Sequence, residues 1–220
     1  RGKNFPVLYL LHGAGDIESG WTLIGRANNI LDNLIAEGKA KSMVVVMPLG
    51  HAIQSFYAGP SRSAAPPANP GAEAPGALSP FARDLLDDVM PMIERSFKVS
   101  TKADDRAIGG LSMGGGQTIN IAFNRPALFR YVVLMSPAAG RNLDQAYAIF
   151  LSDSAAANRQ FKMLWMGVGK DDTLTGPGDR DFDALLTAKG INHTFELSDG
   201  RHEWTVWRHH LRDIAPKLFR

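Results

Sequence analysis

The sequence predicts an α/β fold: a mainly parallel β-sheet with helices on both faces. Three observations point to it. Runs of apolar and β-branched residues recur at spacings that leave room for helices between them. Most of these runs are continuous rather than alternating, the pattern of strands buried on both faces. The segments between them carry apolar residues at helical spacing, and two of them end at glycine. The 220 residues are read as one domain, 1–220, large enough to bury roughly three-quarters of its unfolded surface.

The elements follow in order. Val7–Leu11 reads as a buried strand and 43–47 as a second. Between them, 24–36 carries spaced apolar residues and stops at Gly38, a helix with a glycine terminator. The stretch 58–77 is dominated by Gly, Pro, Ala and Ser, with Pro66-Pro67, Pro70 and Pro75. It suits neither helix nor central strand and is long for a connection. It is expected to be a disordered insertion or a loop over the site, at about 58–78. Ser79-Pro80 supplies a cap and a proline at the first helical position, ahead of a helix over 81–97 that Pro91 should kink or interrupt. Strands follow at 107–111, Tyr131–Met135 and 162–168. Residues 193–197 alternate more, as an edge strand does. Helices are expected over 180–189, ending at Gly190, and over 203–218. No internal repeat is visible.

Composition narrows the function classes. Apolar residues make up 45% and charged residues 21%, with a formal charge of +2 and no long basic run, so nothing suggests a nucleic-acid face. No apolar stretch approaches the ~18–20 residues of a membrane span, so no membrane partner is expected. Arg1-Gly2-Lys3-Asn4 does not open like a signal peptide. The absence of cysteine removes a thiol nucleophile, a disulfide framework and a cysteine zinc site. Oligomeric state is not legible.

The most informative segment is Gly109-Gly110-Leu111-Ser112-Met113-Gly114-Gly115-Gly116. It contains Gly110-x-Ser112-x-Gly114, the pattern of a nucleophile elbow, between an apolar run and a helix-like run. That pattern has three fixed positions and the chain has 22 glycines, so the flanking strand and helix matter. A sharp strand-to-helix turn exposes the hydroxyl, and the helix N-terminus aims free N–H groups at the reacting oxygen.

A serine needs a base, and the base needs an orienting carboxylate. Of six histidines, His202 lies in a turn after the last strand, where α/β-hydrolases place the base. His12 follows the first strand and is expected to shape the loop beside the oxyanion hole. His51 opens the loop after the second strand, His193 opens a strand, and His209 and His210 sit mid-helix. For the acid, Asp172 and Asp171 compete at the end of the fifth strand; Asp172 is favoured, with Asp199 a distant third. The order Ser112, Asp172, His202 matches that of α/β-hydrolases. The oxyanion donors are expected to be the N–H groups of Met113 and Ala14. A His202-Glu203 zinc motif fails because position 206 is valine. Gly13-Ala14-Gly15 fails as a dinucleotide fingerprint because its sixth position is Glu18. No metal and no cofactor is expected.

Four segments together resemble a known family: Leu8-Tyr9-Leu10-Leu11-His12-Gly13 followed by Trp21; the Gly-Leu-Ser-Met-Gly-Gly elbow; Gly169-Lys170-Asp171-Asp172; and Gly200-Arg201-His202-Glu203-Trp204 with Trp207. The chain resembles the family-one carbohydrate esterases, which include feruloyl and acetyl xylan esterases. They are similar to a broader esterase group holding S-formylglutathione hydrolases, mycolyltransferases and enterochelin esterases. The resemblance implies an α/β-hydrolase fold, with Ser112 as nucleophile, His202 as base then acid, Asp172 as orienter, and Met113 and Ala14 as oxyanion donors. It implies a small-molecule or polysaccharide ester as partner and a secreted or periplasmic location. Trp21, Trp204, Phe56 and Tyr57 are then candidates to stack on a feruloyl ring or a sugar face. Trp207 and Trp165 read better as packing residues. The family usually has Gly-Gly-His where this chain has Gly200-Arg201-His202. A full sheet of this fold has two more strands before Val7, so the leading strands are expected to be missing or the fold minimal. The rival readings are a siderophore esterase, a short-acyl thioesterase, an acyltransferase with the same triad, and a non-catalytic binding protein on the same fold.

Overall fold

The computed structural model describes residues 4–51 and 76–220. Phe56, Tyr57 and most of the Pro/Ala-rich segment lie outside them. The described chain runs β1 (Val7–Leu11), α1 (Gly20–Leu23), α2 (Ala27–Ala36), β2 (Val44–Val46), α3 (Pro80–Arg83), α4 (Met90–Ser96), β3 (Arg106–Leu111), α5 (Met113–Asn124) and β4 (Tyr131–Met135). It continues through α6 (Leu143–Ala146), α7 (Ala148–Leu151), α8 (Ser154–Gln160), β5 (Met163–Gly169), α9 (Gly176–Ala188), β6 (Thr194–Ser198) and α10 (Trp204–Ile214).

Among the described residues the strands form one six-stranded sheet in the order β2-β1-β3-β4-β5-β6. Every pairing is parallel. Side chains alternate between its faces. Val7, Tyr9, Leu11, Ile108, Val132, Leu134, Leu164 and Met166 point into one core, with Phe123 of α5 and Phe182 of α9. Leu8, Leu10, Ala107, Leu111, Val133, Met135 and Trp165 point into the other, with Trp21, Trp207 and Leu211. This double burial is why the strands read as unbroken apolar runs. β6 lies at an edge and is only partly buried, in keeping with its alternating sequence.

Three segments depart from the sequence expectation. The helix expected over 24–36 begins only at Ala27, after a break at Arg26, whose φ is +55°. A Cβ at Gly25 would fall 2.7 Å from the rings of both Trp21 and Trp204, so only glycine fits against this indole pair just before the break. The helix expected over 81–97 holds its ends but widens into a π-helical stretch, Asp84–Val89, just before Pro91. Proline has no N–H to close the ordinary ladder, and the backbone accommodates the loss in the preceding turn. The helices α6, α7 and α8 were not foreseen. They bring Phe150 onto Phe123 in a stacked contact with centroids 4.2 Å apart.

The strand order reverses between β1 and β3. In open parallel sheets, the carboxyl ends of the strands at such a reversal are where ligands usually bind. Ser112 follows β3 and Gly13 follows β1.

Candidate active site

Ser112 stands between β3 and α5 with φ +51° and ψ −118°, a strained conformation for a residue with a side chain. Glycines make the turn possible by close approach. A Cβ at Gly114 would sit 2.6 Å from the His12 carbonyl oxygen, and one at Gly115 would sit 2.4 Å from Pro137 Cα. Both neighbours are backbone and cannot swing away. Gly115→Ala is therefore expected to destabilise the fold by about 3 kcal/mol, at the upper end for overpacking. A urea midpoint that falls while the slope stays constant is the check.

The structure brings Ser112, His202 and Asp172 into one line. The Ser112 hydroxyl lies 2.9 Å from His202 Nε2. His202 Nδ1 lies 2.8 Å from Asp172 Oδ2. Ser112 and His202 are partly exposed, whereas Asp172 is buried. Asp172 Oδ1 also accepts the N–H groups of Leu174 and Thr175, each at 3.0 Å, and Oδ2 accepts the Thr175 hydroxyl at 3.1 Å. Burial alone would raise the pKa of this carboxyl. The Thr175 N–H and the His202 imidazole overcome that and hold it at about 2. Asp172 is thus a fixed anion behind the imidazole. Asp171 is exposed and contributes its backbone N–H to the Gly200 carbonyl. Asp199 is fully exposed and pairs with Lys170 at 2.7 Å.

Met113 opens α5, so its N–H has no partner within the helix. The loop carrying Ala14 lies alongside: a Cβ at Gly13 would fall 3.5 Å from Ser112 Cβ. His12 holds that loop. Its Nδ1 donates to the Gly13 carbonyl and its Nε2 accepts the Gly50 N–H, both at 2.8 Å. Burial pushes its pKa down, which suits the neutral imidazole these two bonds require. Gln117 of α5 completes the brace by donating to the Gly50 carbonyl at 2.8 Å. The sequence alone gave no sign of Gly50 and Gln117, because the brace joins three elements remote in the chain.

Trp21 has no exposed surface. Its indole N–H donates to the Leu11 carbonyl at 2.9 Å and its ring packs edge-on to Trp204. The expectation that it stacks on substrate is corrected: the ring has no free face and serves as a core pillar. Trp204 remains half-buried, and Trp207 packs edge-on to His202 with centroids 4.9 Å apart. Exposed Ile17, Leu49 and Leu174 lie on the loops that follow β1, β2 and β5. His193 pairs with Asp183 away from this line, and His210 is buried against Ser198. Among the described residues no group of three or more His, Asp or Glu side chains is arranged to hold a metal. Among them, too, no helix is long and apolar enough to cross a membrane.

A serine on a strained elbow, backed by an imidazole and a buried carboxylate on a parallel α/β sheet, is the arrangement of serine hydrolases of the α/β-hydrolase fold. The chain belongs to the Esterase family: the model described as "Putative esterase" matches residues 1–218. It is 32% identical over 223 residues to an endo-1,4-beta-xylanase/feruloyl esterase of Xylanibacter ruminicola, covering 100% of this chain and 27% of that protein. It is 22% identical over 250 residues to endo-1,4-beta-xylanase Y of Acetivibrio thermocellus, covering 99% of this chain and 20% of that one. The chain thus spans about a quarter or less of these relatives. Its fold matches the CE1 ferulic acid esterase of Anaeromyces mucronatus, with a TM-score of 0.77 and 23% identity over 99% of this chain and 80% of that one. The same enzyme in complex with ferulic acid gives a TM-score of 0.76.

Proposed function

We propose that the chain is a serine carboxylic ester hydrolase that works through an acyl-enzyme on feruloyl or acetyl esters of plant polysaccharides. The observation that carries this is the continuous line from the Ser112 hydroxyl through His202 to buried Asp172. His202 takes the proton as Ser112 Oγ attacks the ester carbonyl. The N–H groups of Met113 and Ala14 receive the oxyanion. His202 then protonates the departing alcohol, and the acyl group stays on Ser112. Water, losing its proton to His202, releases the acid and restores the serine. Asp172 holds the imidazole with Nδ1 protonated and stabilises the cation that forms.

The relative from Xylanibacter ruminicola carries feruloyl esterase in its name, and the fungal neighbour was solved with ferulic acid. In this chain, half-buried Trp204 and the exposed apolar residues Ile17, Leu49 and Leu174 suit a planar aromatic acyl group better than an acetyl group alone. A polysaccharide ester as substrate also implies a secreted or periplasmic place of action, which fractionation of the source cells would check.

The test compares ferulate release from methyl ferulate with acetate release from p-nitrophenyl acetate. Release of both, with kcat/KM higher for the feruloyl ester, supports a feruloyl esterase. Acetate release alone keeps the serine esterase and moves the substrate to short acyl esters. Release of neither overturns the proposal. Adding a non-water acceptor alcohol separates hydrolysis from acyl transfer, since only a transferase diverts most of the acyl group.

A further inference from the structure

Asp179 is a buried acid that the reaction above does not use. It sits in the first turns of α9 with no exposed surface. Its Oδ1 accepts the Ala139 N–H at 3.2 Å, and its Oδ2 has no hydrogen-bond partner. The Ala139 bond matters because of the loop it holds. In 136–139, Ser136 and Ala138 have φ of +44° and +46°, strained values for residues other than glycine. Pro137 of that loop touches Gly115, and the Pro137 and Ala138 carbonyls face Gly116. Those glycines form the first turn of α5, directly after Ser112 and Met113. On its other side Asp179 lies one helical turn from Thr175, which donates both its N–H and its hydroxyl to Asp172.

We propose, resting on the esterase reading above, that Asp179 is a positioning residue that locks the strained 136–139 loop beneath the elbow to the helix end that holds Asp172. It thereby keeps the nucleophile side and the acid side of the line in register. The carboxyl does this as a neutral acid. It is fully enclosed, one oxygen has no donor, and the Asp172 anion is close by. Burial, reinforced by Asp172, pushes its pKa up to about 7, against the pull of the Ala139 N–H and Arg180. Asp172, Arg180 and, through Asp172, His202 are the titratable groups that face it.

Asparagine copies the neutral acid. Its Oδ1 accepts the Ala139 N–H, and its amide points protons at the Thr175 side. Asp179→Asn is expected to keep kcat on p-nitrophenyl acetate within about threefold of the parent at pH 6. Asp179→Ala leaves the loop untied and is expected to lower kcat about tenfold or more with KM within twofold, a loss of alignment rather than of binding. Stability gives a second readout, independent of activity. A folded-state pKa raised above 3.8 makes the parent lose stability relative to the asparagine variant as pH rises from about 4 to 7. The excess Tm of Asp179→Asn over the parent should therefore grow across that window, by about 4 °C or more, and then level off. The proposal is overturned if Asp179→Ala keeps parental kcat, if only its KM changes, or if Asp179→Asn is as impaired as Asp179→Ala. A Tm difference that does not vary with pH overturns the neutral acid. If the alanine variant does not fold, the asparagine variant decides alone, on its kcat and its Tm profile. Loss of the esterase reading would show differently, as a parent inactive on every ester while the Tm profile stands.

Discussion

Ser112→Ala is expected to lower kcat/KM for ester hydrolysis by about 10⁴- to 10⁶-fold. The residual rate would come only from oxyanion donors and binding. The large effect follows from geometry. Ser112 Oγ is the atom that faces His202 Nε2, at 2.9 Å, and no cysteine exists to replace it. The fold should survive. Alanine tolerates φ +51° no worse than serine, and the neighbouring glycines, not the hydroxyl, form the close contacts of the turn. Unchanged Tm with lost activity on p-nitrophenyl acetate and methyl ferulate is the expected pair of results. A variant with parental activity would show that another group performs the attack.

Asp172→Asn is expected to lower kcat by about 10⁴-fold with modest change in KM. An asparagine amide at this place can donate to His202 Nδ1. The ring proton then moves to Nε2, where it faces the serine hydroxyl instead of a lone pair, and the base is lost. Full turnover in the variant would remove Asp172 from its assigned role. Stability carries the same signature. The folded carboxyl titrates at about 2, below the 3.8 of an unfolded aspartate. Its contribution is therefore complete above about pH 4 and disappears as pH falls through 4 toward 2. The parent should lose stability across that interval more steeply than Asp172→Asn, as acid titration of Tm would show.

Much of this was legible in the sequence because a parallel sheet is buried twice. Val7–Leu11 and Tyr131–Met135 needed no periodicity argument, since every position in them is enclosed. The three residues of the hydrogen-bonded line, the proposed catalytic ones, could be nominated because each lies just past a strand, where this topology usually puts its chemistry: Ser112 after β3, Asp172 after β5, His202 after β6. What the sequence hid is lateral. Trp21 sits in a region that follows a strand, as a substrate-contacting ring would, and only the packing of Trp204 against it shows that it faces inward. The need for glycine at position 25, next to the break at Arg26, is hidden in the same way, since one of the two rings it meets is nearly 180 residues away. The helices α6 to α8 are four to seven residues long, too short for a 3.6-residue repeat to declare itself. Asp179 shares its helix with Asp181 and Asp183, and composition does not separate the one enclosed acid from two ordinary ones. Its spacing of four from Thr175 was the available clue, because that spacing puts both on one helix face.

His202 follows β6, and β6 is the least protected strand of the sheet. Among the described residues it has one neighbour, β5, and none of its five residues is fully buried. Strands of this kind open locally at free energies below that of global unfolding. His202, the proposed base, is thus tethered to the rim of the sheet, whereas Ser112, the proposed nucleophile, is tethered to its centre. Mild denaturant, heat or a nick near 190–200 would separate the two while most helices and the central strands stay intact. If the esterase reading holds, loss of activity on heating is expected to follow the opening of this rim strand, and reinforcement of β6 is expected to delay it.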